Sequence, residues 1–369
     1  MGSALDRRRS RCQSMLQRRG IDGLVVGPGS NMYYLTGFID EPSERHLLFV
    51  VPAEGDPTFV APTMYDEQIR NTSQIKSVRL WDDGGGPDTV LEDVLDVFGA
   101  GDTILVGDTL WATFLLDLQS RLPGVEFERA STVVGELRMQ KDEPELEALR
   151  QAATISDQVS RDVRSLGVDA IGMTEAELAA EIDRRLSDAG TTGPAFETIV
   201  GSGPNGAHPH HRRSDREIRP GDAVVLDFGA TVDQYPGDQT RTVVFDGEPP
   251  ERFRSVHETV NAALEAGIES VEPGVTASVV DAVVRQVIED AGYGEFFTHR
   301  TGHGVGLDVH EQPYIVEGND HTLEPGMVFS VEPGIYLDGE FGVRIEDLVV
   351  VTEDGCERLN DSPRTWRAL

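Results

Sequence analysis

Apolar positions follow two rhythms along the chain. Short unbroken runs, GLVVG (23–27), HLLFVV (46–51), PTFVA (57–61) and TILVGD (103–108), predict buried strands. The second and third are joined by the turn residues PAEGD, so they are expected to be consecutive. Ahead of the first run, Leu5, Cys12, Met15 and Leu16 fall on one face of a helix that Gly20 would end. GGGP (84–87) reads as a loop whose glycines have no phosphate-binding spacing. This stretch predicts a small α/β domain with no concentration of catalytic residue types.

The rhythm changes near residue 140. Asp142 is an N-cap, Pro144 sits in the first turn, and Glu145 completes a capping box. Leu146, Leu149, Ala153, Ile155, Val159, Val163 and Leu166 then follow helical spacing. A second helix is expected from Thr174, with Glu177 three residues on, to just before Gly190. The join around Lys141 divides the chain into domains 1–137 and 138–369.

The later domain contains a weak internal repeat. RPGDAVVLDFGA (219–230) aligns without a gap on EPGMVFSVEPGI (324–335), and Asp227 falls on Glu332. A second acid follows each segment before a new apolar run: Asp238 before VVF and Glu346 before LVVV. Helical segments precede each, 142–190 and roughly 251–291. A duplicated unit with an acid at the same strand position suggests a pseudo-symmetric site.

Composition narrows the classes. The 369 residues suffice for two domains, and no apolar run reaches the ~18–20 residues of a membrane span. The N-terminal MGSALDRRRSRCQSMLQRRG lacks the apolar core of a secretory signal, so a surface helix is expected. Two cysteines, Cys12 and Cys356, form no disulfide framework and suit a reducing cytoplasm. A net charge of -33 argues against nucleic-acid or anionic-membrane binding, which need a basic face. It also suggests a halophilic source, since molar salt screens self-repulsion within ~3 Å.

Five residues stand out as chemistry. Asp227 ends a core strand, where an ionised carboxylate needs a partner. Asp238, Glu332 and Glu346 also border apolar runs, and His303 lies between Gly302 and Gly304. Four crowded carboxylates would need protons or cations. Carboxylates with one imidazole suit manganese, cobalt or zinc, and two ions ~3.5–4 Å apart would balance the charge and generate a nucleophile. Taken singly, each residue has a plainer reading. Asp227 would cap a turn, Asp238 would pair with Arg241, and Glu346 would pair with Arg344. His303 would be structural, Glu332 would merely end a strand, and His208 and His211 would be exposed neighbours of His210.

Together the motifs resemble a known family. DFGA with DQTRT (238–242), GHGVGLDVHE (302–311), VEPGIY (331–336) and VRIEDLVVVT (343–352) resemble the metal-dependent pita-bread peptidases, closest to Xaa-Pro aminopeptidases and prolidases. NMYYLTGF (31–38) resembles the creatinase-type N-terminal domain, and LRMQKDEPELEALRQAA (137–153) the entry to the catalytic domain. The resemblance implies an α+β chain, with a smaller α/β domain ahead of a pita-bread catalytic domain. It implies two divalent ions, manganese first, on Asp227, Asp238, His303, Glu332 and Glu346. Glu332 would also take a proton from the attacking water. PNGAHPHH (204–211) would bring His210 to the substrate, His310 would stabilise the tetrahedral intermediate, and Arg344 would orient carboxylates.

The implied substrates are peptides with proline second, and the implied protein is a cytoplasmic homodimer. HEQPYI puts Tyr314 where dipeptide-only prolidases often carry an arginine for the dipeptide's carboxylate. The expected activity is therefore aminopeptidase P-like, with Xaa-Pro dipeptidase as the alternative. A metal-free creatinase-like hydrolase comes third, because the acidic cluster is intact.

Overall fold

The computed structural model describes residues 4–368, which form two compact units divided between Arg138 and Met139. The first unit is built on one mixed sheet. Its strands are β1 (Gly23–Val26), β2 (Leu48–Pro52), β3 (Thr58–Pro62), β4 (Ser77–Trp81), β5 (Thr103–Val106) and β6 (Glu126–Arg129), in the order β4-β3-β2-β1-β5-β6. The four apolar runs supply β1, β2, β3 and β5. Neither edge strand, β4 nor β6, is predicted by an apolar run. EFER in β6 is largely exposed and has no apolar run to betray it. The N-terminal helix spans Ala4–Arg19 and buries Cys12, Met15 and Leu16, as the spacing predicts. NMYYLTGF lies mostly in the helix Ser30–Thr36, ended by Gly37 at φ 75°, a left-handed conformation that glycine adopts cheaply. No helix among the described residues is long and apolar enough to cross a membrane.

The second unit repeats one arrangement twice. Both predicted capping boxes form, Asp142 with Glu145 and Thr174 with Glu177, at the starts of helices Glu143–Arg164 and Glu175–Asp188. These helices cover a sheet of β7 (Ile199–Ser202), β8 (Val224–Phe228) and, after the hairpin β9 (Thr231–Val232) and β10 (Tyr235–Pro236), β11 (Gln239–Val243). The order is β11-β8-β7. Helices Phe253–Glu269 and Ala277–Asp290 open the second half. Then come β12 (Gly302–Gly304), β13 (Glu311–Ile315) and β14 (Val328–Val331). The hairpin β15 (Gly334–Leu337) and β16 (Phe341–Arg344) leads to β17 (Asp347–Val351) and β18 (Cys356–Arg358).

Each half is therefore two helices, a central strand, a hairpin, and an antiparallel return strand. Asp227 is in β8, opposite Thr240 of β11. Glu332 follows the last residue of β14, where Val331 pairs with Asp347 of β17. Each half has its own apolar core, Val159, Leu178, Ile182 and Phe228 in the first, and Val260, Val284, Phe329 and Val349 in the second. The halves join at the return strands. Glu346 N–H donates to the Thr240 carbonyl at 3.1 Å, and Arg241 pairs with Asp347 at 2.7 Å.

Candidate metal centre

The join carries a pocket of about 320 Å³. It is lined by all eight residues singled out in the sequence: Asp227, Asp238, His303, Glu332, Glu346, His210, His310 and Arg344. The positions follow from the strand pattern. Asp238 immediately precedes β11 and Glu346 immediately precedes β17, so each enters at a return strand's start. His303 is the middle residue of β12. A Cβ at Gly302 would lie 1.8 Å from the Ser330 carbonyl oxygen, and one at Gly304 2.2 Å from that of Gln312. Only glycine permits β12 to sit this close to its neighbours.

The donors converge to different degrees. Ligand atoms of Asp238, His303 and Glu346 all lie within 4.8 Å of one another, and all three residues are buried. Asp227 and Glu332 line the same pocket but fall outside that tightest group. His303 Nε2 is 3.4 Å from Glu332 and 3.8 Å from Asp238. Its Nδ1 faces the Gly304 carbonyl at 3.3 Å, which leaves Nε2 as the lone-pair nitrogen. Burial, then His310, lowers the His303 pKa to about 3, so the ring is neutral.

The electrostatics are unfavourable for bare carboxylates. Burial first, then Asp227 and Glu332, raises Asp238 well above the usual carboxylate range. Burial, then Asp238, Glu332 and Asp227, does the same to Glu346. Glu332 is raised to about 7, chiefly by burial and despite Arg344. Asp227 Oδ1 is buried with no hydrogen-bond partner. Excess negative charge, an orphaned carboxylate oxygen and a neutral imidazole lone pair fit divalent cations.

Arg344 binds the halves together. Its guanidinium donates to Asp227 Oδ2 at 2.6 Å, Thr240 Oγ1 at 3.1 Å, Tyr336 Oη at 3.0 Å and the Pro209 carbonyl at 3.2 Å. Thr240 Oγ1 in turn donates to Glu346 Oε2 at 2.6 Å. Arg344 thus orients Asp227 directly and Glu346 through one hydroxyl. The simpler pairings do not form, because Arg241 is taken by Asp347 and Arg344 by Asp227. His299 extends the network. Its Nδ1 donates to the Arg300 carbonyl, and its Nε2 accepts from Tyr336 Oη, each at 2.8 Å. Burial, then Arg344, lowers its pKa to about 3, fixing this neutral form.

His210 and His310 are exposed at the pocket wall, and the His310 ring is 4.1 Å from that of His303. His208 is exposed, but His211 is no bystander: its Nε2 donates to Glu175 Oε2 at 2.7 Å. Glu175 is fully buried and also accepts from Ser202, Asn205 and Ser214, gathering the segment that carries His210. Burial pushes its carboxyl up, but Ser214, Ser202 and His211 outweigh that and hold it below the usual range. Glu175, Thr240, His299 and Tyr336 join the site without being among the residues expected from the sequence. Thr240 and Tyr336 sit inside quoted motifs, while Glu175 gave no signal beyond its place in a helix's first turn.

Comparison with known proteins fits this geometry. Metallopeptidase family M24 matches residues 147–353, and the creatinase/prolidase N-terminal domain matches residues 8–140. The Mycobacterium tuberculosis protein named probable dipeptidase PepE is 44% identical over 93% of this chain and 91% of its own. The Xaa-Pro dipeptidase of Lactobacillus helveticus is 36% identical, covering 97% of each chain. A crystal structure of prolidase from Thermococcus sibiricus superposes with a TM-score of 0.94, 40% identity and full coverage of both chains.

These names favour the dipeptidase alternative over the aminopeptidase expectation, which leaned on Tyr314. Losing an arginine there does not leave the pocket without cations, since Arg212 and Arg300 also line it. The chain belongs to metallopeptidase family M24, among its Xaa-Pro dipeptidases and prolidases, and is a hydrolase.

Proposed function

We propose that this protein is a dinuclear-metal Xaa-Pro dipeptidase, releasing one residue from a following proline. The supporting observation is the convergence of Asp227, Asp238, His303, Glu332 and Glu346 on one pocket at the join of the two halves. Asp227, Asp238, His303, Glu332 and Glu346 would hold two divalent ions, manganese first and cobalt or zinc next, as suits carboxylates with one imidazole. When bound, such ions lower the pKa of water and polarise the scissile carbonyl.

The chain's own groups do the rest. A Glu332 carboxylate oxygen takes the proton of the attacking water. His310 is exposed to the pocket, yet its ring, 4.1 Å from that of His303, is partly desolvated. That desolvation, then Arg300, lowers its pKa, and it serves as a neutral N–H donor for the carbonyl oxygen as charge develops there. His210 at the pocket wall hydrogen-bonds the substrate, and the proton that Glu332 has taken passes to the leaving nitrogen, directly or through His210. Phe196, Ile199 and Val309 offer a wall without strong donors, which suits a proline ring. A pocket near the small end of the about 300–1,000 Å³ range for ligands suits a dipeptide.

The test is a panel of Ala-Pro, Ala-Pro-Ala and Met-Ala-Ala, assayed in molar salt on chelator-treated protein resupplied with manganese, cobalt or zinc. Ala-Pro is expected to be cleaved fastest. No Ala-Pro cleavage with any metal would overturn the reading. Faster cleavage of Ala-Pro-Ala would restore the aminopeptidase alternative.

A further inference from the structure

A dipeptide brings a free carboxylate into a pocket that four carboxylates already wall. It needs a cation close to the place where its C-terminus lies. Three arginines line the pocket: Arg212, Arg300 and Arg344. Arg344 is buried, and its guanidinium is committed to Asp227, Thr240, Tyr336 and the Pro209 carbonyl. Arg212 is exposed, and no side chain among the described residues braces it.

Arg300 differs from both. It is half-buried, and its guanidinium lies over the Tyr314 ring, 4.3 Å from the centroid. It makes no ion pair among the described residues. Its backbone is fixed on both sides: its carbonyl accepts from His299 Nδ1 at 2.8 Å, and Thr301 N–H donates to the Ile315 carbonyl at 2.9 Å. It sits three residues before His303, and its charge acts on His303, His310 and Glu332. The unpaired guanidinium therefore stands beside the reacting groups rather than at a distant rim.

We propose that Arg300, braced on the face of Tyr314, binds the C-terminal carboxylate of the dipeptide and so sets substrate length. The inference rests on the dipeptidase reading above. A planar guanidinium matches a carboxylate with two parallel N–H···O bonds. Stacking on an aromatic face holds it extended while leaving its N–H edge free. Less side-chain freedom is then lost when substrate arrives. Tyr314, which as a sequence position argued against a dipeptide clamp, becomes the clamp's support.

The test compares Ala-Pro with Ala-Pro amide, which lacks the charge, using the full chain loaded with manganese. Wild type is expected to favour the acid. Arg300→Gln should raise KM for Ala-Pro by about 10–100-fold, the scale of a lost charge-assisted pair, and cost the amide far less. The acid-to-amide ratio of kcat/KM therefore collapses. Arg300→Lys should recover part of the ratio, and Tyr314→Ala should lower it by less than Arg300→Gln does. Arg212→Gln should leave the ratio in place. The proposal is overturned if Arg300→Gln keeps the wild-type ratio, if wild type shows no preference for the acid, or if Arg212→Gln collapses the ratio instead. Failure of wild type on both substrates sinks the dipeptidase reading itself, so the two failures are distinguishable.

Discussion

The two halves of the catalytic unit share a framework but not their duties. In each, a central strand brings one acid to the pocket, and a second acid immediately precedes the return strand. The hairpins between them differ. In the first half they are two-residue strands, Thr231–Val232 and Tyr235–Pro236. In the second they are four-residue strands, and the last residue of β16 is Arg344. The longer hairpin lets the second half supply a guanidinium that the first half lacks. That guanidinium crosses the join to Asp227, so the equivalent acids Asp227 and Glu332 sit in different fields. The second half adds His303 on β12, while the first adds the His210 segment fastened by Glu175. Duplication accounts for the paired acids, and divergence of the connections accounts for Arg344 and the histidines that only one half supplies.

If the paired acids are equivalent ligands, neutralising either one should have the same result. Asp238→Asn and Glu346→Gln are each expected to abolish hydrolysis, well beyond the about 10–100-fold cost of removing a ligand's outer partner. Metal content by elemental analysis should fall in both, and a large difference between them would break the symmetry. Arg344→Met should come next. Activity falls roughly 10–100-fold, and the metal-stripped protein loses about 3–5 kcal/mol in denaturant unfolding, because Asp227 is left buried and unpaired.

Glu175→Gln tests the first half's private device. It is expected to cost about 1–3 kcal/mol at pH 7. The folded carboxyl titrates below its ordinary value of 4.5, so its contribution is present above that pH and lost as pH falls through the folded pKa. The gap between wild type and Glu175→Gln should therefore narrow in acid, which melting curves at pH 7 and pH 3 would check. Thr240→Val should have the smallest effect, about 1–2 kcal/mol and less than tenfold in kcat, since only the hydroxyl between Arg344 and Glu346 is removed.

What could be read from the sequence was local or duplicated. Asp142–Glu145 and Thr174–Glu177 cap their helices within four residues, so the pattern contains the whole interaction. Asp227 and Glu332 stood out because acids interrupt apolar strands, and because the interruption occurs twice. The unread parts depend on distant neighbours. The partner of Arg344 lies 117 residues away, whereas Glu346, two residues along, looked available. His211 meets Glu175 across 36 residues, in a chain with 65 acids to choose from. The stacking of Arg300 on Tyr314 follows from the pairing of β12 with β13, which no periodicity encodes. Both missed edge strands, β4 and β6, lack an unbroken apolar run.

The central claim is that the join of the two halves is a two-ion hydrolytic site. The most direct measurement is a manganese titration of chelator-treated protein, counting bound ions by electron paramagnetic resonance while following Ala-Pro hydrolysis in the same sample. The account predicts two ions per chain, with hydrolysis rising as they bind and both lost in Asp238→Asn. Full hydrolysis in the stripped protein, or two ions still bound in Asp238→Asn, would contradict it.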